Sequence, residues 1–153
     1  MLESTPESAP GSESEPVAEA PPEVRAAPPE APAKPKKRVM VVDDVGTTRV
    51  LLRKILTNAG YEVIEAESGE VAIKTYHTIK PDAVTMDVFL DKLSGIGALQ
   101  VILQLDPDAR VVMCSSQSDH GFIEDTKRLG ARGYLRKPFD PETVRDAIAA
   151  ALR

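Results

Sequence analysis

Five short runs rich in β-branched and other apolar residues, near positions 38–43, 61–65, 82–87, 110–115 and 132–136, alternate with longer stretches of helical periodicity. Strands separated by helices cannot close as hairpins, so they pair in parallel, and the helices cover both faces of the sheet. Right-handed crossovers then predict an α/β fold, a doubly wound five-stranded parallel sheet whose simplest strand order is 2-1-3-4-5. Four of the runs end in polar residues: Asp43 and Asp44, Asp87, Ser115, and Lys137. Parallel pairing gathers those ends at one edge, the place where open α/β sheets carry their chemistry.

The intervening segments hold the expected helix signals. Thr47 to Asn58 carries Val50, Leu51, Ile55 and Leu56 at helical spacing and stops at Ala59-Gly60, a glycine suited to a C-terminal cap. Ser68 is placed to cap a second helix to about Ile79, where Lys80-Pro81-Asp82 breaks the pattern. A third helix is predicted from Gly95 to Leu105 and a fourth from about Asp119 to Leu129, ending at Gly130; a fifth starts with Pro141 in its first turn and continues to Arg153.

Composition divides the chain. Nine of the 13 prolines lie in residues 1–38, in a stretch of Pro, Ala, Glu and Ser with almost no large apolar side chain. Such a stretch cannot bury enough surface to offset its ordering entropy, so residues 1–37 are predicted to be a disordered tail and residues 38–153 a single domain. Seven glutamates precede Ala31, and Lys34, Lys36, Lys37 and Arg38 follow, a pattern that fits a solubilising linker, with partner docking as the alternative.

Several function classes are disfavoured. A net charge of -5, no tryptophan and 4% aromatic residues leave little with which to bind nucleic acid. The single cysteine, Cys114, sits inside an apolar run, where a thiol acts as a small apolar side chain. No signal segment opens the chain and no run approaches a membrane span, so a cytoplasmic, reduced protein without membrane contact is expected.

Within the predicted pocket, Asp43, Asp44 and Asp87 would repel one another without a compensating cation. Oxygen ligands with no neighbouring His or Cys favour a hard ion, and Mg²⁺ fits best. Lys137 adds a fixed positive charge and Ser115 a hydroxyl donor, which together describe a seat for a phosphoryl group; a carboxylate can itself be the nucleophile that receives one. Taken singly, each feature also reads as an ordinary turn, cap or strand end, and only their convergence singles them out.

In combination the residues resemble the receiver domain of two-component response regulators, especially the stand-alone chemotaxis type. The resemblance rests on Val41-Val42-Asp43-Asp44, Thr47-Thr48-Arg49, Ala66-Glu67-Ser68-Gly69-Glu70, Met86-Asp87, and the stretch from Leu129 to Phe139 that includes Tyr134 and Lys137-Pro138. It covers Arg38 to Arg153 and implies a flavodoxin-like fold whose strand order is the one above. By this resemblance Asp87 is the phosphoacceptor. Asp43, Asp44, Asp87 and the Phe89 carbonyl hold Mg²⁺, Ser115 and Lys137 stabilise the phosphoryl group, and Ser115 with Tyr134 forms a switch. The implied partners are a sensor histidine kinase and a downstream protein bound by the face of helix four, strand five and helix five, where Phe122 is a lesser candidate.

The chain departs from the family where a proline and an acidic residue usually follow the phosphoacceptor, at places held here by Asp91 and Ser94. Phe89 and Gln117 occupy positions that, by the same resemblance, influence access of water to an acyl phosphate, and His120 lies near the same rim. The expected function is a phosphorylation-controlled binding module rather than an enzyme. The alternatives are a phosphate-independent docking receiver or a shuttle to a histidine phosphotransfer protein. A flavin enzyme would want a hydroxyl- and glycine-rich loop where Asp43-Asp44 stands, and an Asp-x-Asp phosphatase would carry its nucleophile on the first strand.

Overall fold

The computed structural model describes residues 35–116 and 120–153, which leaves the predicted tail up to residue 34, Gln117, and the side chains of His120 and Phe122 outside the described residues. All five predicted strands form, each within about a residue of its expected bounds: β1 Arg38–Val42, β2 Glu62–Ala66, β3 Ala83–Asp87, β4 Val111–Ser115 and β5 Gly133–Arg136. They make one parallel sheet in the order β2-β1-β3-β4-β5. The helices between and after them are α1 Gly46–Asn58, α2 Gly69–Ile79, α3 Gly95–Leu105, α4 His120–Arg128 and α5 Pro141–Leu152. Lys36–Arg153 forms one compact unit, and Lys37 already belongs to its hydrogen bonding, since its carbonyl accepts the Glu62 N–H at 2.9 Å.

Because side chains alternate along a strand, each central strand feeds two cores at once. Met40, Val42, Val84, Met86, Val111 and Met113 project to one face, against Ala72 and Tyr76 of α2 and Ala98, Leu99 and Ile102 of α3. Val39, Val41, Ala83, Val112, Cys114 and Leu135 project to the other, against Leu52, Ile55 and Leu56 of α1 and Val144, Ile148 and Ala151 of α5. Strands buried on both faces read as unbroken apolar runs, which is why they were recognisable.

The face of α1 differs from the expected one. Leu52, Ile55 and Leu56 are buried, whereas Val50 and Leu51 are 61% and 43% exposed. The apolar stretch is wider than the stripe one sheet face can cover, and spacing alone does not say which part turns inward. The caps follow their signals: Ser68 Oγ accepts the Val71 N–H at 3.1 Å, and Gly60 takes the left-handed φ of 99° just beyond α1. At the far end of the sheet, α5 begins with Pro141 behind the N-cap Asp140.

Candidate functional site

Register, more than any loop, assembles the site. Val42 pairs with Met86 and Asp87 with Cys114, while Ser115 pairs with Arg136, so the next residue of β1 brings Asp43 level with Asp87, and Lys137, the residue after β5, follows at the same end of the sheet. Asp43 and Asp87 are 1% and 5% exposed, Asp44 is exposed, and one carboxylate oxygen from each lies within 4.8 Å of the others. Lys137 Nζ donates to Asp43 Oδ2 at 3.0 Å and lies 3.4 Å from Asp87 Oδ2. The other Asp43 oxygen accepts the Val45 N–H at 2.8 Å, and Asp87 Oδ1 accepts the Phe89 N–H over a long 3.4 Å.

The electrostatics follow from this crowding. Burial, then the neighbouring Asp43 charge, push the Asp87 carboxyl above the usual carboxylate range, with Lys137 and the Phe89 N–H pulling the other way. Burial works against the Lys137 ammonium, but its contacts with Asp43 and Asp87 outweigh it and raise its pKa. One lysine therefore compensates two buried carboxylates, with a third carboxylate close by. The set is all-oxygen, dense in negative charge and open on the Asp44 side, which fits a hard divalent cation such as Mg²⁺.

Ser115 is buried at the end of β4, one residue past the partner of Asp87, and in phase with the residues that face α2 and α3. Tyr134, half-buried on β5, packs against that same core. Burial raises the pKa of its phenol, and the neighbouring Ser115 hydroxyl pulls the other way. Ser115 and Tyr134, the residues expected to form a switch, thus lie on the same face of the sheet and influence one another's electrostatics. Phe89 stands 58% exposed beside Asp87.

Where the chain departs from the family pattern, the local structure supplies reasons. Ser94 is the N-cap of α3, its Oγ accepting the Gly97 N–H at 3.1 Å. Asp91 is exposed and lines a depression of about 510 Å³ with Asp44, Glu67, Ser68, Glu70 and Lys92. It is a rim residue, outside the cluster of Asp43, Asp44 and Asp87. Gly95 packs so closely under β3 that a Cβ there would collide with the Asp87 carbonyl oxygen. Its N–H donates to Val88 O at 2.9 Å, fixing the start of α3 to the end of β3.

Sequence reasoning placed Arg49 in a motif but gave it no role, and passed over Glu65. Arg49 lies on α1, and its guanidinium donates to the Asp43 carbonyl at 2.6 Å and to Glu65 Oε1 of β2 at 3.0 Å. Arg53 donates to the second Glu65 oxygen at 2.7 Å. An acidic residue alternating into the face of an edge strand, opposite a helix with arginines four apart, was the available signal.

Comparison with known proteins agrees with this geometry. The profile of the response regulator receiver domain matches residues 39–149. The chain is 39% identical to the chemotaxis protein CheY of Thermotoga maritima, over 73% of this chain and 94% of that protein. It is 38% identical to CheY of Bacillus subtilis, over 75% and 97%. Among solved structures, the CheX–CheY–BeF3–Mg²⁺ complex from Borrelia burgdorferi contains a chain 32% identical, with a TM-score of 0.73, covering 76% of this chain and 90% of that one. A parallel sheet in the order β2-β1-β3-β4-β5, an acidic pocket at the ends of its strands and a matching profile over most of the chain together establish that this protein belongs to the response regulator receiver domain family, in its CheY-like form.

Proposed function

We propose that this receiver takes a phosphoryl group from a sensor histidine kinase onto Asp87 and signals by changing the protein partner it binds. The observation that carries this reading is the buried pair Asp43 and Asp87, bridged by Lys137 at 3.0 and 3.4 Å and open toward Asp44. An Asp87 oxygen attacks the phosphorus of a phosphohistidine, the P–O bond forms as the P–N bond breaks, and the departing imidazole nitrogen keeps the electron pair and takes up a proton. The product is an acyl phosphate.

Asp43, Asp44, Asp87 and the Phe89 carbonyl are the ligands we assign to Mg²⁺. When bound, the ion supplies charge neutralisation for the oxygens of the phosphoryl group. Lys137, released from part of its task at Asp87, pairs with a phosphoryl oxygen. The similar Borrelia chain is found in complex with CheX, BeF3 and Mg²⁺, which supports a divalent cation as cofactor and a protein as the partner.

Ser115 is the donor we assign to another phosphoryl oxygen. Engaging it draws the hydroxyl away from the neighbouring Tyr134 and lets that ring move against the core it touches, remodelling the face of α4, β5 and α5. A signalling protein of this kind works by a shift of populations rather than by turnover. Among the described residues no helix is long and apolar enough to cross a membrane; the location we assign, by likeness to the family, is cytoplasmic.

The test is incubation with acetyl phosphate and Mg²⁺, with intact mass as the readout. A single Mg²⁺-dependent phosphoryl adduct, absent from Asp87→Asn, is the expected result. A folded protein with no adduct would replace this reading with a phosphate-independent docking receiver. Rapid loss of the adduct to a histidine phosphotransfer protein, with no change at Tyr134, would instead make it a shuttle.

A further inference from the structure

We infer that Arg49 is a positioning residue for divalent-cation binding, acting through the Asp43–Asp44 peptide; this rests on the reading of those carboxylates as metal ligands. Two adjacent residues that both ligate one ion are joined by a single peptide unit, and the plane of that unit sets where the two side chains point. Its carbonyl oxygen is the Asp43 oxygen that Arg49 holds at 2.6 Å.

The clamp is anchored at its other end. Arg49 Nε donates to Glu65 on β2 at 3.0 Å, and Arg53 holds the second Glu65 oxygen at 2.7 Å. The Arg49 side chain is only 18% exposed, so its planar fork is fixed on two acceptors at once, a geometry an ammonium cannot reproduce. The N-cap of α1 is Val45, with no side-chain cap and no acidic residue in the first turn, and both Thr48 and Arg49 N–H groups fall on the Val45 carbonyl. Asp43 is held through its carboxylate by Val45 and Lys137, yet Asp44, the exposed ligand, takes its direction from the peptide that Arg49 pins.

Charge and geometry make opposite predictions, which gives the inference its edge. A guanidinium beside an acidic pocket repels a cation, so removing it by Coulomb's law alone tightens binding. If Arg49 positions the ligands, removing it weakens binding despite the lost repulsion, by about 10-fold or more, as is usual for groups that orient metal ligands.

The experiment titrates Mg²⁺ by calorimetry, and Mn²⁺ by electron paramagnetic resonance, into wild type, Arg49→Ala, Arg49→Lys, Glu65→Gln and the control Asp44→Asn. The expected result is a loss of about 10-fold in Arg49→Ala, with Arg49→Lys and Glu65→Gln in between. In the metal-free proteins, the Asp44 and Val45 amide resonances should broaden or shift in the same order while midpoints of thermal unfolding stay close. Unchanged or tighter binding in Arg49→Ala, with wild type binding and Asp44→Asn impaired, overturns the inference and leaves the metal pocket standing. No binding by wild type removes the pocket itself, and the inference with it. Should Arg49→Ala fail to fold, Arg49→Lys, which keeps the charge and loses the fork, decides alone: wild-type affinity there refutes the positioning role.

Discussion

Replacing Lys137 by methionine isolates the charge balance of the site in the metal-free protein. At an effective dielectric of about 20, a unit charge 3.0 Å from one carboxylate and 3.4 Å from another gains about 5 kcal/mol from each. Desolvation of the lysine, and the 24% exposure of its side chain, return much of this. We expect a net loss of about 3 kcal/mol near neutral pH, toward the low end for breaking a buried ion pair, and a large share of the stability of a domain this size.

The loss should depend on pH with a defined sign. Asp87 already titrates above its ordinary value, so the native state binds its proton more readily than the unfolded chain does. Stability therefore falls as pH rises from the ordinary carboxylate range through the raised folded value. Without Lys137, two of the influences holding that value down are gone, and the interval widens. Lys137 itself, with its pKa raised, contributes below the ordinary lysine range and loses that contribution as pH climbs through its folded value. Urea unfolding followed by circular dichroism suits a chain with no tryptophan. The deficit of Lys137→Met should be largest near pH 8 and shrink toward pH 5, and added Mg²⁺ should raise the midpoint of the variant more than that of wild type. A deficit under about 1 kcal/mol, or one equal at both pH values, would refute the account of one lysine offsetting two buried carboxylates.

Gly95→Ala should destabilise by about 2–3 kcal/mol and slow phosphorylation, because its Cβ has nowhere to go but into the Asp87 backbone; Gly60→Ala, facing open space at φ 99°, should cost about 1 kcal/mol and leave phosphorylation alone. Tyr76→Phe removes the donor that reaches Asp106 Oδ2 at 2.7 Å and should cost about 1.5 kcal/mol at neutral pH. That bond is the main cause of the lowered Asp106 pKa, so its contribution exists above the ordinary carboxylate range and fades as pH falls through the lowered value; denaturant midpoints in acid should converge for the two proteins. Cys114, fully enclosed on the α1 and α5 side with its thiol pKa pushed up by burial, should react with a thiol reagent only at the rate of global unfolding.

Strands and their order were legible because a parallel strand buried on both faces is largely apolar, and β1, β3 and β4 are so apart from Arg38, Thr85 and the polar ends Asp87 and Ser115. The pocket was legible for the same reason, since Asp43, Asp87, Ser115 and Lys137 are the polar residues that interrupt those runs. Side-chain direction on a helix was less so, and Val50 and Leu51 turned outward although their spacing matched the buried Ile55 and Leu56. Ser94 looked like a missing acidic residue until the start of α3 showed it to be a cap. Arg49 and Glu65 lie 16 positions apart on different elements, so the alternation of Glu65 and the spacing of the arginines were each visible but nothing local joined them as a pair.

The ion pair between Lys137 and Asp43 joins residues 94 positions apart, from the first strand to the last. Closing a contact of that span costs more loop entropy than closing a local one, which favours its forming late in folding. Nascent or partly assembled chains would hold the acidic pair without its lysine, and so would a chain clipped ahead of β5. Such species lack the complete site, and a partner that reads the finished pocket ignores them. Ligand bound at this edge, in turn, stabilises the sheet as a whole rather than one loop, because every central strand contributes to the place where it sits.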